Sequence, residues 1–511
     1  MRSKSFPVAL IFFGGLLVVG LFCFDDYGIS WDGPVQREYG ARVYNYLTKH
    51  DPDLLTDRHR YYGPVVEVGL FWLERLLSLK DSRTVFLMRH LITFIIFWIG
   101  SIFFYLVAKR IVGRRYALLA PGLLVVSPRI FAHSFYNTKD IPFMIVFIVG
   151  VYTLLRLLET RTPMAAMLHG FTCALLIDIR IIGILLAVMT VVVLVFDFAA
   201  DARKIDFRNR GLVLAGFLGS LTAFTILMWP TLWQDPLKNF VRSFEVMRSF
   251  PWEAPVLYLG SEVWSTNLPW HYLPVWMGVS SPIAVILLGA AGFIVLVARA
   301  LNGDPAVIQR RHVLIVLLWC WLPMGYLMFS DVVLYDAWRH AFFIYPSVVL
   351  AAVWALSELS RLVASKGSCA KRVVLGIVLV GFAVDLGAVT IFMVRNHPHE
   401  NVYFNTLVGG VRGAVGKFEL DYWGLCYRQG LEWIAATDSH SPILVNASTA
   451  PGRYNVYMLK SEDRRRFLFV PKPTHAEYYV TNFRWQRGKP PGREVYSIRV
   501  DGARILSIFR L

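Results

Sequence analysis

The sequence predicts a polytopic α-helical membrane protein with about eleven transmembrane helices, followed by a small α/β domain outside the membrane. Three observations carry that reading. The 511 residues are 56% hydrophobic and 17% charged, with 15% aromatic residues and a mean hydropathy of +0.51, whereas soluble chains are about a quarter charged. Apolar runs of spanning length recur as far as Val394. Lysine and arginine collect in alternate short loops, the distribution that sets orientation in a bilayer. A purely soluble enzyme is excluded. The net charge of +17 would point to nucleic acid only if it lay on one folded surface.

The first apolar run, Phe6 to Phe24, has the basic start of a signal peptide, but it is long and no small-residue cleavage site follows, so it reads as an uncleaved span. The next runs are Phe86 to Ala108, Tyr116 to Ala132, Ile141 to Leu158, Met164 to Ile179, Ile181 to Phe198 and Leu212 to Leu232. The last four are Ile283 to Ala298, Val313 to Phe329, Ala341 to Leu356 and Val373 to Val394. With the N-terminus inside, the inner segments, from Arg2 and Lys4 to Lys371 and Arg372, hold 19 basic residues. They hold five acids: Glu159, Asp201, Asp206, Asp304 and Glu358. The first outer loop, Asp25 to Thr84, holds eight basic and ten acidic residues. Most of the positive charge is therefore a topology signal, and no nucleic-acid partner is expected.

An odd number of spans puts the tail outside, dividing the chain into a membrane part, 1–394, with a long first outer loop, 25–84, and an α/β part, 395–511. In the tail, Tyr427 to Ala436 reads as a helix. Ile443 to Asn446, Glu477 to Thr481, Glu494 to Val500 and Arg504 to Arg510 read as strands, the last two joined by a hairpin turn at Asp501-Gly502. No internal repeat is visible. The five cysteines show neither CxxC nor metal spacing, so no disulfide framework or zinc site is expected. The tail's own excess of seven positive charges stays unassigned.

Candidate chemistry gathers at the outer ends of the spans. The first outer loop opens with Asp25, Asp26 and Trp31-Asp32-Gly33, and Val65 to Leu79 reads as an amphipathic helix lying in the interface. Asp25 and Asp26 fit a helix-end cap as well as a site; Asp32 fits that less well. Ser127 to Pro142 reads as a very short outer loop crowding Arg129, His133, Lys139 and Asp140. Snorkelling fits Arg129 and Lys139 about as well as a functional role, but it does not explain Asp140. Arg339-His340, ahead of Tyr345-Pro346, offers a guanidinium fork for phosphate. Asp178 and Arg180 read as a structural ion pair. Trp270-His271-Tyr272, in the loop Trp233 to Pro282, fits either an interfacial belt or a sugar-stacking surface.

The order and sidedness of these motifs, Trp31-Asp32-Gly33, Ser127-Pro128, Asn137-Thr138-Lys139-Asp140-Ile141-Pro142, Pro269-Trp270-His271-Tyr272-Leu273-Pro274 and Arg339-His340 with Tyr345-Pro346, resemble the C-type (GT-C fold) glycosyltransferases. Within that class they are more similar to the group of protein O-mannosyltransferases and aminoarabinose lipid A transferases, families 39 and 83. The resemblance covers about Met1 to Val394. It implies transfer of a hexosyl or pentosyl unit from a polyprenyl or dolichyl phosphate donor to a hydroxyl or phosphate of a lipid-glycan or protein acceptor, beside membrane lipid, on the outer face. Trp31-Asp32-Gly33 matches the family's first-loop Asp but lacks the Glu that commonly follows it. Asp140 matches the second-loop acid and Arg339 the phosphate-contacting cation.

The reading that follows makes Asp32 the base that takes the acceptor's proton, with inversion, and Asp140 a second catalytic carboxylate. Arg339 and His340, with Arg60, Lys139 and Arg129 behind them, would hold the donor phosphate. Asp26, His59, Trp270, His271 and Tyr272 would meet acceptor or sugar. No cofactor is called for with certainty; a divalent metal ion held through Asp140 stays open. The expected location is a bacterial inner membrane, part of the cell envelope, with the N-terminus in the cytoplasm and the site and C-terminus in the periplasm. A transporter or flippase of lipid-linked sugars is the alternative, with Asp385 as its main feature, although repeated halves are missing. A noncatalytic scaffold would leave Asp32, Asp140 and Arg339 unexplained. Asn446-Ala447-Ser448 is a glycosylation sequon on an expected strand.

Overall fold

A computed structural model describes residues 5–200, 207–301, 310–330, 332–366, 369–486 and 488–511. Arg2, Lys4, Asp201, Arg203, Lys204, Asp206, Asp304 and Asp331 lie outside the described residues. Among the described residues, eight helices are long and apolar enough to cross a membrane, and two shorter apolar helices accompany them. The chain is thus a multi-pass helical membrane protein.

Helix α1 (Ser5–Cys23) leads into the long first loop, which holds α2 (Gly33–Lys49) and α3 (Val65–Leu76) before α4 (Ser82–Ile111) begins. The amphipathic run forms α3 as expected, with Glu67 and Glu74 buried and Trp72 exposed. The buried acids are paired: Glu74 with Arg37 and Glu67 with Arg89.

The third expected span is broken. It consists of α5 (Leu119–Val125) and α6 (Pro128–Tyr136), interrupted at Ser127-Pro128, where proline disfavours helical backbone in the residue before it. Ser127 to Pro142 is correspondingly not one short loop, because residues as far as Tyr136 are helical and buried. α7 (Asp140–Thr160), α8 (Pro163–Ile179), α9 (Ile184–Ala200) and α10 (Phe207–Met228) follow. The segment that follows carries α11 (Pro236–Arg248), a hairpin of β1 (Pro255–Tyr258) and β2 (Ser261–Trp264), and α12 (Tyr272–Ser280). The bundle closes with α13 (Ile283–Leu301), α14 (Arg310–Phe329), α15 (Tyr345–Lys366) and α16 (Cys369–Asn396).

α7 and the segment Arg339–Ala364 are the most enclosed spans, with 78% and 83% of their apolar windows buried, whereas α16 is 11% buried. Close helix approach depends on glycine: a side chain at Gly292 of α13 would collide with the Ala351 carbonyl of α15, at 2.0 Å. The segments assigned to the inner side meet one another through ion pairs. Arg110 and Arg156 hold Glu159, Arg299 and Arg361 hold Glu358, and Arg161 and Arg311 hold Asp197. These termini therefore share one face of the bundle.

The tail folds as α17 (Gly410–Ala414), α18 (Tyr427–Thr437) and a five-stranded sheet ordered β4-β3-β5-β7-β6. Its strands are β3 (Ile443–Ala447), β4 (Phe467–Phe469), β5 (Tyr478–Thr481), β6 (Arg493–Val500) and β7 (Ala503–Arg510). The helix and four of the strands match the sequence reading, and β6 and β7 turn through Asp501 and Gly502 at φ 46° and 81°. β4, three residues long, is the one that reading lacks; it pairs parallel to β3. Asn446 is buried on β3 and donates to the Val470 carbonyl at 2.8 Å, so the sequon is not a presented acceptor.

The tail is docked onto the bundle rather than tethered to it. Ile29 N–H donates to Asn455 Oδ1 (2.8 Å), Arg428 donates to the Tyr27 carbonyl (3.0 Å), and Asn405 donates to the Gly278 and Ser281 carbonyls (2.7 and 2.8 Å).

Candidate active site

A cavity of about 270 Å³ opens at the end of the bundle where α7 and α15 begin. Stretches distant in sequence build it, among them the turn before α2, the segment ahead of α3, the residues just before α7, the end of α8, the residues after α11, the turn before α15 and the loop after β5.

Asp32 occupies the N-cap position of α2, but its side chain makes no capping hydrogen bond. The carboxylate turns to the cavity instead, 3.6 Å from Arg339. Solvent reaches 30% of the side chain through the cavity. The protein around it is nonetheless dense enough that burial raises its pKa above the usual carboxylate value, with Arg339 opposing. Asp140 begins α7. Asn137 Oδ1 accepts from the backbone N–H groups of Lys139 and Asp140 (3.2 and 2.8 Å), satisfying donors that a helix start leaves free. Asn137 Nδ2 then donates to Asp140 (2.9 Å), and the buried carboxylate pairs with Arg339 (3.1 Å) and Arg180.

Arg339 is the hub. It touches Asp32, Asp140 and Asp336 at 3.6, 3.1 and 3.3 Å. Its guanidinium lies 4.9 Å from the rings of both Tyr335 and Trp423. The turn that delivers it is strained: Asp336 and Ala337 both have left-handed backbone, φ 57° and 61°, at a cost of about 1–2 kcal/mol each for residues with a Cβ. Asp336 holds that turn in place through Arg484 (2.6 Å) and Trp423 (2.9 Å) of the tail. Arg484 also reaches Glu419 (3.1 Å), whose pKa burial pushes up to about 7 against that guanidinium.

Lys139 lies over the Tyr62 ring at 3.0 Å, and burial together with Arg180 lowers its pKa well below the ordinary lysine value. His340 lines the same wall, edge-on to Tyr335. His59 lines the opposite lip and pairs with Asp57 at 3.0 Å; burial lowers its pKa.

Among the candidates, Asp32, Asp140, Lys139, Arg339, His340 and His59 converge, with Asp140 reaching the cavity through Arg339. The others do not. Asp26 lies against His397 at 2.9 Å. Arg60 turns to Tyr61 (2.8 Å), and its carbonyl accepts from Trp229 and Thr231. Arg129 is buried against Trp276 and Phe404, because the α6 break points it at the tail segment and away from the cavity. Trp270 is 60% exposed, His271 bonds to Tyr258 Oη (2.6 Å), and Tyr272 is core. The expected Asp178–Arg180 pair does not form. α8 ends at Ile179 and Arg180 is extended, so Asp178 accepts from Val65 N–H (2.8 Å) while Arg180 turns to Asp140. Asp385 is occupied as a cap on Ala284 N–H (2.9 Å) at the start of α13.

Sequence reasoning gave Arg180 only a structural pairing, weighed Trp252 only among the loop aromatics that could stack on a sugar, and assigned no role to Asp336, Tyr335, Arg484 or Trp485. Asp336, three residues before Arg339, carried a spacing signal; Arg484 carried none. A divalent cation does not fit at Asp140, because two guanidinium groups already flank its carboxylate and a cation would have to displace one.

Residues 70–229 match the family described as dolichyl-phosphate-mannose-protein mannosyltransferase. No curated protein matches by sequence. The structure of ArnT from Cupriavidus metallidurans in the apo state is similar over 99% of this chain and 98% of its own, at 14% identity and a TM-score of 0.52. The same protein bound to undecaprenyl phosphate matches at 13% identity over the same shares, with a TM-score of 0.53. The apo oligosaccharyltransferase of Archaeoglobus fulgidus matches at 11% identity over 91% of this chain and 65% of its own, with a TM-score of 0.53. These matches span the membrane bundle and most or all of the tail. The chain has the GT-C fold of these membrane glycosyltransferases.

Proposed function

We propose that the protein is a glycosyltransferase that moves a sugar from a polyprenyl phosphate donor to an acceptor at the outer face of the membrane. The observation that carries this reading is the convergence of an uncapped, partly open carboxylate, Asp32, with Arg339, Lys139 and His340 in one cavity at the bundle's outer end. The undecaprenyl phosphate bound by the similar ArnT supplies the donor class.

Asp32 takes the proton of the acceptor hydroxyl as that oxygen attacks the anomeric carbon. The bond from that carbon to the phosphate oxygen breaks with inversion, and polyprenyl phosphate leaves with the electron pair. Arg339 and Lys139, already in position, meet the developing charge. Asp140 and Asp336 hold the guanidinium rather than the substrate. Trp252, stacked on Tyr335 at 4.3 Å, and Trp485 line the cavity as an aromatic wall against which a sugar ring can pack. A second cavity of about 670 Å³ shares Arg484 and Trp485 with the first and gives the acceptor an approach from outside.

The N-terminus lies in the cytoplasm and the cavity and tail on the far side of the membrane, on the strength of the lysine and arginine distribution; the resemblance to the aminoarabinose lipid A transferases supports a bacterial inner membrane and its periplasm. The boundary near residue 394 separates the spanning part from the tail, whose residues complete the cavity. Transport has less support, since Asp385, its main candidate, is used as a helix cap.

The test is reconstitution in liposomes with polyprenyl phosphate sugars, following release of polyprenyl phosphate. Asp32→Asn should lower release by about two to four powers of ten with binding and fold retained, and undiminished release would remove Asp32 as the base. Arg339→Ala should weaken donor binding more than acceptor binding; equal affinity of both proteins for polyprenyl phosphate would place the phosphate elsewhere.

A further inference from the structure

Among the described residues, one group of side chains has metal-ligand chemistry and spacing, and it lies outside the cavity. Cys23 ends α1, Asp26 follows in the next turn, and His397 comes immediately after α16. Their Sγ, carboxylate oxygen and imidazole nitrogen all lie within 4.8 Å of one another. No motif announces the group, because 371 residues separate Asp26 from His397.

We infer that Cys23, Asp26 and His397 form a site for a zinc-like divalent transition metal ion, which straps the first span to the last. The donors are one thiolate, one imidazole and one carboxylate, a set that suits zinc. Tetrahedral coordination asks for donor separations of about 3.3–3.8 Å, and Asp26 is already 2.9 Å from His397 Nε2, so small side-chain movements suffice. Behind the ring, Nδ1 bonds to Glu400 Oε1 at 2.6 Å, which leaves Nε2 as the nitrogen facing the ion. Glu400 is held in turn by Tyr27 Oη at 3.0 Å. A histidine oriented by a carboxylate is the usual support of a metal-ligating imidazole. Asp26 and His397 are 46% and 25% exposed, so an ion reaches them from outside. Binding displaces one proton from His397 and one from the Cys23 thiol to solvent, and water completes the fourth position. The physical gain falls on α16, the least enclosed span, and on the segment to which Arg428 ties the tail.

Without metal, the same geometry serves as an imidazolium bridge between Asp26 and Glu400, and the experiment separates the two. Full-length protein in detergent is stripped with chelator, dialysed, and titrated with Co(II) and Zn(II). About one equivalent should bind, with a near-ultraviolet thiolate-to-cobalt band that Cys23→Ser abolishes and Cys369→Ser, at an exposed cysteine elsewhere, leaves intact. Asp26→Asn and Glu400→Gln should each weaken zinc binding at least about tenfold. X-ray absorption on zinc-loaded wild type needs no variant and should show one sulfur ligand. A coordination sphere of nitrogen and oxygen alone, a cobalt band that survives Cys23→Ser, or wild type that retains no metal would each overturn the site.

Discussion

Asp32 and Glu419 are two carboxyl groups whose surroundings raise the pKa by burial, and they make different predictions. Asp32 acts as a base only when ionised. kcat/KM should therefore be lost as pH falls through an apparent pKa above the ordinary value of about 3.9. Arg339 opposes the rise, so Arg339→Gln should move this acid limb to higher pH; an unmoved limb in that variant would mean that another group sets it. Glu419, buried beside Arg484, has a folded pKa of about 7, above its value in the unfolded chain. The folded state thus binds its proton more tightly, and stability from this group is present at low pH and lost as pH rises toward 7. Glu419→Gln should flatten that fall. Thermal unfolding of both proteins in detergent between pH 5 and 8, in roughly half-unit steps, would reveal it, and parallel curves would exclude the effect.

At the scale of elements, the site depends on where helices begin and how closely they pack. Asn137 supplies the cap that lets α7 start at Asp140, and a left-handed turn at Asp336 and Ala337 delivers Arg339. Both features are local, and both hold a charge at the cavity end of a deeply enclosed span. Their spacing depends on bare backbone contacts. A Cβ on Gly63 would meet the Asp178 carbonyl at 1.9 Å, and one on Gly292 the Ala351 carbonyl at 2.0 Å. Gly292→Val should therefore force α13 from α15 and destabilise the fold by about 1–3 kcal/mol. Loss of melting temperature is the readout, and an unchanged value would mean that the crossing relaxes freely.

For the whole molecule, the tail is a wall of the cavity. Arg484 and Asp336 are both buried and stand 2.6 Å apart across 148 residues of chain. Removing either partner alone should cost about 3–5 kcal/mol, because the other is left as an uncompensated buried charge. Removing both should cost less than the sum, with coupling of about 0.5–3 kcal/mol. A double-mutant cycle on Arg484→Ala and Asp336→Ala measures this, and strict additivity would show that the pair does not hold the tail to the site. The tail's unassigned positive charge is partly explained here: Arg428 and Arg484 are spent on docking.

Much of the architecture was legible in the residues themselves. Hydrophobic length and basic loops specify the spans, since a bilayer imposes the same requirement on each segment separately. The hairpin at Asp501-Gly502 and the amphipathic helix α3 are likewise written in local periodicity. Asp32, Asp140 and Arg339 stood out because ionised groups at the ends of apolar runs are costly without a reason. What only the tertiary structure decided is which charges meet. Arg180 turned from Asp178 to Asp140, Arg129 turned into an aromatic core, and Arg484 arrived from the tail with no local signal. Spanning is a property of one segment against lipid, whereas pairing depends on where helix ends stop and which distant strand docks beside them.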